Sequence, residues 1–277
     1  RPVGAGHRGV DQRKADMNRI SRLARPLALI AGSAILVVTL GFVERTADRE
    51  PVNALDVKVD TEEGVHFINA DAVRRMVLEA RGGVIGTPMS EVDVAGIEDD
   101  LRAVPCVATA DAYHTLDGVL HLRVEQRRPI LRVMNRNGAG FYIDEGGWTM
   151  PMNDNYTARV LVAMGARDEP YTSGVHQVEA SDSLAAITRS DELFRLATAI
   201  TNDPLWNALI DQVVVNAAGE FELITRVGAH RVLIGDGGDL DQRLEKLRVF
   251  YERGIPQSGW RRIARIDLRF AGQVVCT

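Results

Sequence analysis

A run of seventeen residues without a charge, LALIAGSAILVVTLGFV at positions 27–43, constrains this chain more than any other feature in it. As a helix it would span roughly 25 Å, close to the hydrocarbon thickness of a bilayer. A buried core helix and the apolar stretch of a signal peptide are the competing structures for such a run. A core helix keeps a polar face, and here only Ser33 and Thr39 are polar. A cleaved signal has a shorter apolar stretch and ends at a small-residue site, whereas this run passes straight into Glu44-Arg45. The reading is an uncleaved membrane helix. Residues 1–26 hold seven Lys and Arg against Asp11 and Asp16. The positive-inside rule therefore keeps that tail in the cytoplasm and puts residues 46–277 outside.

The basic tail has a surplus of five charges. The chain as a whole carries −5, so everything after the tail carries −10. An acidic main body does not suit a nucleic-acid binder. Its size allows one or two domains with real cores. Residues 44–54 read as a short linker. LDVKV (55–59) alternates like a strand. NADAVRRMVLEARGG (69–83) has Asn69 or Asp71 to cap it, an apolar stripe of Val73, Met76, Val77 and Ala80, and Gly82 to end it. DVAGIEDDLRAVP (93–105) reads as a second helix, with Asp93 as cap and Val94, Ile97, Leu101 and Val104 inward, stopped by Pro105. VATADAY and VLHLRVE follow as a hairpin about Asp117-Gly118, with Leu120, Leu122 and Val124 inward. The order is strand, helix, helix, strand, strand over 55–129.

After Pro129 short strands dominate: ILRVM, FYID, WTM and RVLVAMG. A helical region follows at 183–201, with Leu184, Ile187, Leu193, Leu196, Ala197 and Ile200 apolar. DQVVVNA, EFELITRV and HRVLIG are further strands. An amphipathic helix over 239–254 is expected to be capped by Asp239, with Leu240, Leu244, Leu247 and Phe250 or Tyr251 inward. RRIARIDLRFAGQVVCT closes the chain as one alternating strand. Residues 130–277 thus read as a mostly antiparallel β domain with packed helices, and the fold class is α+β behind a single N-terminal membrane helix.

Chemistry is hard to find. The six His stand in no metal-binding spacing. GAGHRG (4–9) fits a dinucleotide fingerprint letter for letter, but no strand precedes it and it lies in the basic tail. Asp144 and Glu145 open a turn in YIDEGG and are not read as a catalytic pair. Asn155-Tyr156-Thr157 is a glycosylation sequon. Trp148, Trp206 and Trp260 read as core residues. Cys106 and Cys276 read as two separate packed thiols in preference to a disulfide. No cofactor, metal site, nucleic acid or small-molecule substrate is expected.

The 55–126 unit, hung just outside a membrane helix, resembles a POTRA domain, and the whole layout from residue 20 to 277 resembles the FtsQ/DivIB family of bacterial cell-division proteins. In that family the second POTRA helix runs into L-x-x-x-P-[aromatic]-V-x-x-A, here Leu101, Pro105, Cys106, Val107 and Ala110. Cys106 stands where an aromatic is usual. A hairpin then ends near a Glu with a Pro a few residues on, here Glu125 and Pro129 joined by QRR. YIDEGGWTMP, Ile143 to Pro151, and Ile266-Asp267-Leu268-Arg269-Phe270 match two later motifs. The 165–205 segment is longer and more helical than the family pattern.

The resemblance implies a scaffold and not an enzyme. It implies a single-pass protein of the inner (cytoplasmic) membrane at the division septum, anchored through 27–43. Its partners would be FtsB/FtsL-like proteins of the divisome. It also implies that the final strand lies at a sheet edge. Gly272, Gln273, Val274 and Val275 would receive a partner strand there, with Arg269 meeting an acidic partner residue and Phe270 supplying apolar contact. Arg127, Arg128 and Pro129 form a basic hinge, either solvated or used in docking. Two other functions remain open: a POTRA protein of outer-membrane assembly, which would need a C-terminal barrel, and a membrane-tethered periplasmic enzyme, which would need a polar constellation.

Overall fold

The computed structural model describes residues 32–33, 35–36, 50–61, 64–80, 82–154, 156–165, 169, 171, 174–178, 189–258 and 263–277. The basic tail, most of the 27–43 run and residues 44–49 of the linker lie outside them, as do Leu184, Ile187 and Trp260. No helix among the described residues is long and apolar enough to cross a membrane.

The expected strand-helix-helix-strand-strand order is present: β1 (Ala54–Asp60), α1 (Ala70–Ala80), α2 (Val94–Arg102), β2 (Val107–His114) and β3 (Val119–Gln126). The three strands form a sheet in the order β1–β3–β2. Side chains alternate across a strand, and β3 follows that rule: Leu120, Leu122 and Val124 are buried while Arg123 and Glu125 are exposed. Helix α1 is capped by Asn69, whose Oδ1 accepts from the Ala72 amide at 2.8 Å. Its inward stripe is narrower than expected. Val73 and Val77 are buried, but Met76 is 41% exposed and Ala80 is also exposed.

By compactness the chain falls into two units. One takes the chain up to Asp56 with Val77–Val94 and Tyr113–His121; the other takes Val57–Met76, Ala95–Ala112 and Leu122–Thr277. In the first unit two tight turns are bonded to residues 50–53. Val52 exchanges backbone bonds with Thr87 and Gly86, and the Asn53 amide donates to the Gly118 carbonyl at 2.8 Å.

The second unit is built on a nine-stranded sheet. Its strands are β4 (Pro129–Met134), β5 (Gly140–Asp144), β6 (Thr149–Pro151), β7 (Leu161–Gly165), β8 (Ile210–Val215), β9 (Phe221–Thr225), β10 (Arg231–Gly235), β11 (Arg265–Asp267) and β12 (Val275–Cys276). They run in the order β12–β11–β10–β9–β8–β7–β4–β5–β6. Antiparallel pairings outnumber parallel ones five to three, so the sheet is mixed. Parallel neighbours need long crossovers. The β7–β8 crossover contains α3 (Ser190–Thr201) and α4 (Pro204–Leu209), and the β10–β11 crossover contains α5 (Leu240–Val249), a π-helical turn (Phe250–Gly254) and α6 (Ile255–Ser258).

Period-two residues of the strands meet the 3.6-period stripes of these helices. Leu131, Phe141, Val213, Leu223, Val232 and Ile266 form one core with Leu193, Leu196, Ile200, Trp206, Leu244 and Leu247. Two local expectations fail. Asp239 precedes α5 in the left-handed region (φ 51°) and makes no side-chain capping bond. The closing segment is not one strand: after β11 the chain turns through residues 270–272, with Gly272 at φ +70°, and returns as β12.

Gln126, at the end of β3, is buried. Its amide accepts from the Ile68 amide at 3.0 Å and donates to the Asp60 and Val65 carbonyls at 3.1 Å each. Gln126→Ala removes all three of these buried hydrogen bonds and is expected to lower stability by about 1–3 kcal/mol, read from denaturant unfolding.

Candidate partner-binding site

The site is the β12 end of the large sheet. Arg265 and Thr277 exchange both backbone bonds, N to O at 3.0 and 3.1 Å. Ile266 faces Cys276 in the register of β11 and β12. In an antiparallel pair, residues alternate between bonding across and directing their N–H and C=O outward. Cys276 is therefore the residue of β12 that presents backbone groups to the open side. β12 ends the sheet. Val275 is 37% exposed and Cys276 is exposed.

Beside this edge lies a groove of about 470 Å³, walled by Gln242, Glu245, Lys246, Val249, Phe250, Arg253 and Gly254 on one side and Gly272, Gln273 and Val274 on the other. Lys246 fixes the second wall. Its ammonium donates to the carbonyls of Leu268 and Phe270, both at 2.7 Å. The π-helical turn fixes the first wall. A Cβ on Gly254 would fall 2.5 Å from the Phe250 ring, so only glycine permits that backbone to lie against the ring. A strand laid on β12 could take main-chain bonds from Cys276 and put a side chain into the groove.

The six residues expected to bind a partner separate into four roles. Gly272, Gln273 and Val274 line the groove, and Val275 belongs to the edge strand itself. Phe270 is 44% exposed. The expected alternation would have turned it inward, and the chain reversal at 270–272 is what leaves it out. Arg269 is committed within the chain. It donates to Asp267 at 2.7 Å and to Glu220 at 2.7 Å, with 40% of its side chain still exposed. Sequence reasoning missed the α5 wall. Gln242, Glu245, Lys246, Val249 and Arg253 recur at helical spacing, but all except Val249 are polar, and nothing local says that this stripe borders a groove.

The expected basic hinge is also different. Arg127 is not solvated: its guanidinium meets Asp144 Oδ2 at 3.0 Å, with 13% and 6% of the two side chains exposed. It also lies over the Trp148 ring, 5.3 Å from the centroid. Asp144 Oδ1 accepts from the Gly146 and Trp148 amides at 2.9 and 2.7 Å. The Asp144 carboxylate thus organises the turn that the sequence places there. Arg128 and Pro129 line a separate cavity of about 420 Å³ with Tyr156, Arg159 and Asn207. Of the tryptophans, Trp206 is buried and Trp148 is 37% exposed. Cys106 is buried, and burial pushes its thiol pKa up. Cys276 is exposed and not packed as expected.

One arrangement has the look of a hydrolytic relay. His121 Nδ1 lies 3.0 Å from Asp56 Oδ2, and its Nε2 lies 3.2 Å from Thr115 Oγ1. Thr115 Oγ1 is also 2.5 Å from Asp117 Oδ1. A carboxylate only accepts, so the single hydroxyl proton goes to Asp117 and none is left for the imidazole to remove. The row braces the hairpin, with His121 stacked on Tyr113 at 5.0 Å. Among the described residues no group of His, Cys, Asp and Glu could hold a metal ion.

Arg269 holds both Asp267 and Glu220 below the usual carboxylate range, chiefly through its hydrogen bonds to them. Depressed carboxylate values add stability above about pH 4, where the unfolded groups ionise, and that stability is lost as pH falls through the folded values. Arg269→Gln is therefore expected to reduce stability at pH 7 and to make far less difference in strong acid. Unfolding midpoints of both proteins across that range check it.

The comparisons with known proteins bear on most of the chain. Residues 128–277 match the sequence family described as FtsQ/DivIB, C-terminal related, and residues 52–125 match the POTRA-like domain. A protein of Rhodothermus marinus named "Cell division protein FtsQ" is 28% identical over 194 residues, 69% of this chain and 67% of the relative. A protein of the same name from Salinibacter ruber is 27% identical over 261 residues, 89% of this chain and 91% of the relative. Because the 128–277 match alone takes in more than half of the sequence, the chain belongs to the FtsQ/DivIB family.

Proposed function

We propose that this protein is a non-enzymatic scaffold of the bacterial division machinery. It is held in the cytoplasmic membrane by residues 27–43 and docks FtsB/FtsL-like partners outside the cytoplasm, at the septum. The names of its relatives supply the division role. The observation that carries the docking role is the open β12 edge with a groove beside it. Natural sheets usually protect such an edge with charge, proline or a covering element. β12 is Val275-Cys276, and neither residue does that.

The partner segment adds as a further strand against Cys276, and one of its side chains enters the groove between α5 and residues 272–274. Phe270 and Val249, 44% and 39% exposed, extend the apolar surface. Arg269 positions the turn and does not contact the partner. In this reading residues 55–129 form the POTRA domain and 130–277 the docking domain.

Two measurements test the reading. A reporter fused after Thr277 should be active only outside the cytoplasm; activity inside would remove the anchor from the proposal. Cys276→Pro deletes the outward N–H, whereas Cys276→Ala keeps it. In co-purification of the full chain from membranes, the alanine variant should hold an FtsB-like partner normally. The proline variant should bind roughly tenfold more weakly, about 1.4 kcal/mol. Equal binding by both variants would exclude the edge.

A further inference from the structure

Leu116 and Ile85 are the most exposed large aliphatic side chains of the described residues beyond position 50, at 72% and 54%. Scattered exposed leucines are ordinary. These two share a location. Each sits at the second position of a tight turn. The Gly118 amide donates to the Thr115 carbonyl at 3.1 Å, closing Thr115–Gly118, and the Thr87 amide donates to the Val84 carbonyl at 3.2 Å, closing Val84–Thr87. Gly118 (φ +83°) and Gly86 (φ +88°) supply the left-handed residue each turn needs. The apex of such a turn is normally polar, and here both apices are aliphatic.

Both turns rest on one stretch of chain. The Gly86 amide donates to Val52 and the Val52 amide to Thr87, at 2.8 and 2.9 Å, and Pro51 bridges Pro88. Gly118 lies so close that a Cβ there would be 3.0 Å from the Pro51 carbonyl oxygen. Residues 51–53 follow the apolar 27–43 run by only a few positions. Even fully extended, residues 44–50 reach roughly 25 Å. Whatever surface 27–43 is embedded in, the two turns are tethered within that distance of it.

We propose that the turns 84–87 and 115–118 form a lipid-contact surface, with Ile85 and Leu116 inserted at the boundary between headgroups and acyl chains of the bilayer that holds 27–43. Tyr113, 55% exposed on the strand leading into the second turn, is of the type that favours that boundary. Among the described residues, the charged groups beside these turns, Glu50 and Asp117, have the sign of anionic headgroups. Apolar insertion and not charge therefore holds the contact, and added salt leaves it in place. The contact orients the base of the chain on the membrane, a task separate from partner docking at β12. It rests on the anchor reading.

The test uses the full chain in vesicles of phosphatidylethanolamine and phosphatidylglycerol, with the photoreactive residue p-benzoylphenylalanine replacing Ile85, Leu116 or, as a control, Ala217 in the exposed β8–β9 turn. After irradiation, intact mass should show phospholipid adducts at 85 and 116 and none at 217, unchanged by salt. Leu116→Glu should cut the adduct at 85 severalfold while the chain still floats with vesicles after an alkaline wash. A chain that floats but gives no lipid adduct at 85 or 116 overturns the contact alone. A chain that does not float overturns the anchor and the contact with it. Adducts in native membranes that form with protein in place of lipid assign the turns to a protein partner and overturn the proposal.

Discussion

The chain between β3 and β4 is held by one amide and one guanidinium, and the larger compact unit depends on both. Gln126 bonds three backbone groups of the 60–68 segment. Arg127 neutralises Asp144, a carboxylate nearly removed from water. A buried charge without its partner is costly, so these neighbours cannot be exchanged independently. The Arg127 amide also donates to the Cys106 carbonyl at 2.9 Å, and the Glu145 amide to the Arg128 carbonyl at 2.9 Å. A segment that reads as a basic hinge is thus bonded at consecutive residues on both sides. The register of β4, and of every strand ordered after it, starts from a fixed point.

From there the sheet grows by two kinds of connection, and the alternation decides where its free edge falls. Short turns give antiparallel neighbours; helical crossovers make β7–β8 and β10–β11 parallel, with α3 and α5 packed in the core, and the β5–β6 excursion makes β4–β7 parallel. The last crossover delivers β11 beside β10, and after it the chain turns back through residues 270–272 to β12. Lys246, reaching from α5 to the carbonyls at 268 and 270, sets the place of that reversal. The result is a two-residue final strand whose outer side is open, flanked by a groove whose other wall is the crossover helix. The open edge and the groove beside it are a consequence of how the sheet ends.

Much of this was legible in the chain. The alternation of Leu120, Leu122 and Val124 gave the buried face of β3 because a strand's period is two. Leu193, Leu196, Ala197 and Ile200 gave the inward stripe of α3 because a helix's period is 3.6. Asp144 ahead of two glycines gave the β5–β6 turn. The misses have a common cause. Ile266, Leu268 and Phe270 keep strand periodicity straight through a bend, because the bend is imposed by a lysine on another element. Arg127 looks solvated because its partner is 17 residues away. Arg269 looks available because Glu220, which occupies it, lies 49 residues earlier.

The sequence by itself determined most of the order of elements and of the faces they bury, and the family to which the chain belongs, since these follow from local periodicity and from motifs read in line. It alone also carries the reading of 27–43 as an anchor, through an uncharged run and the basic residues before it. Only the tertiary structure decided which charges remain available, which edge stays open and which helix borders it. Those depend on distances between residues far apart in the chain, and a hydrogen bond or ion pair forms by proximity in space, of which linear spacing holds no record.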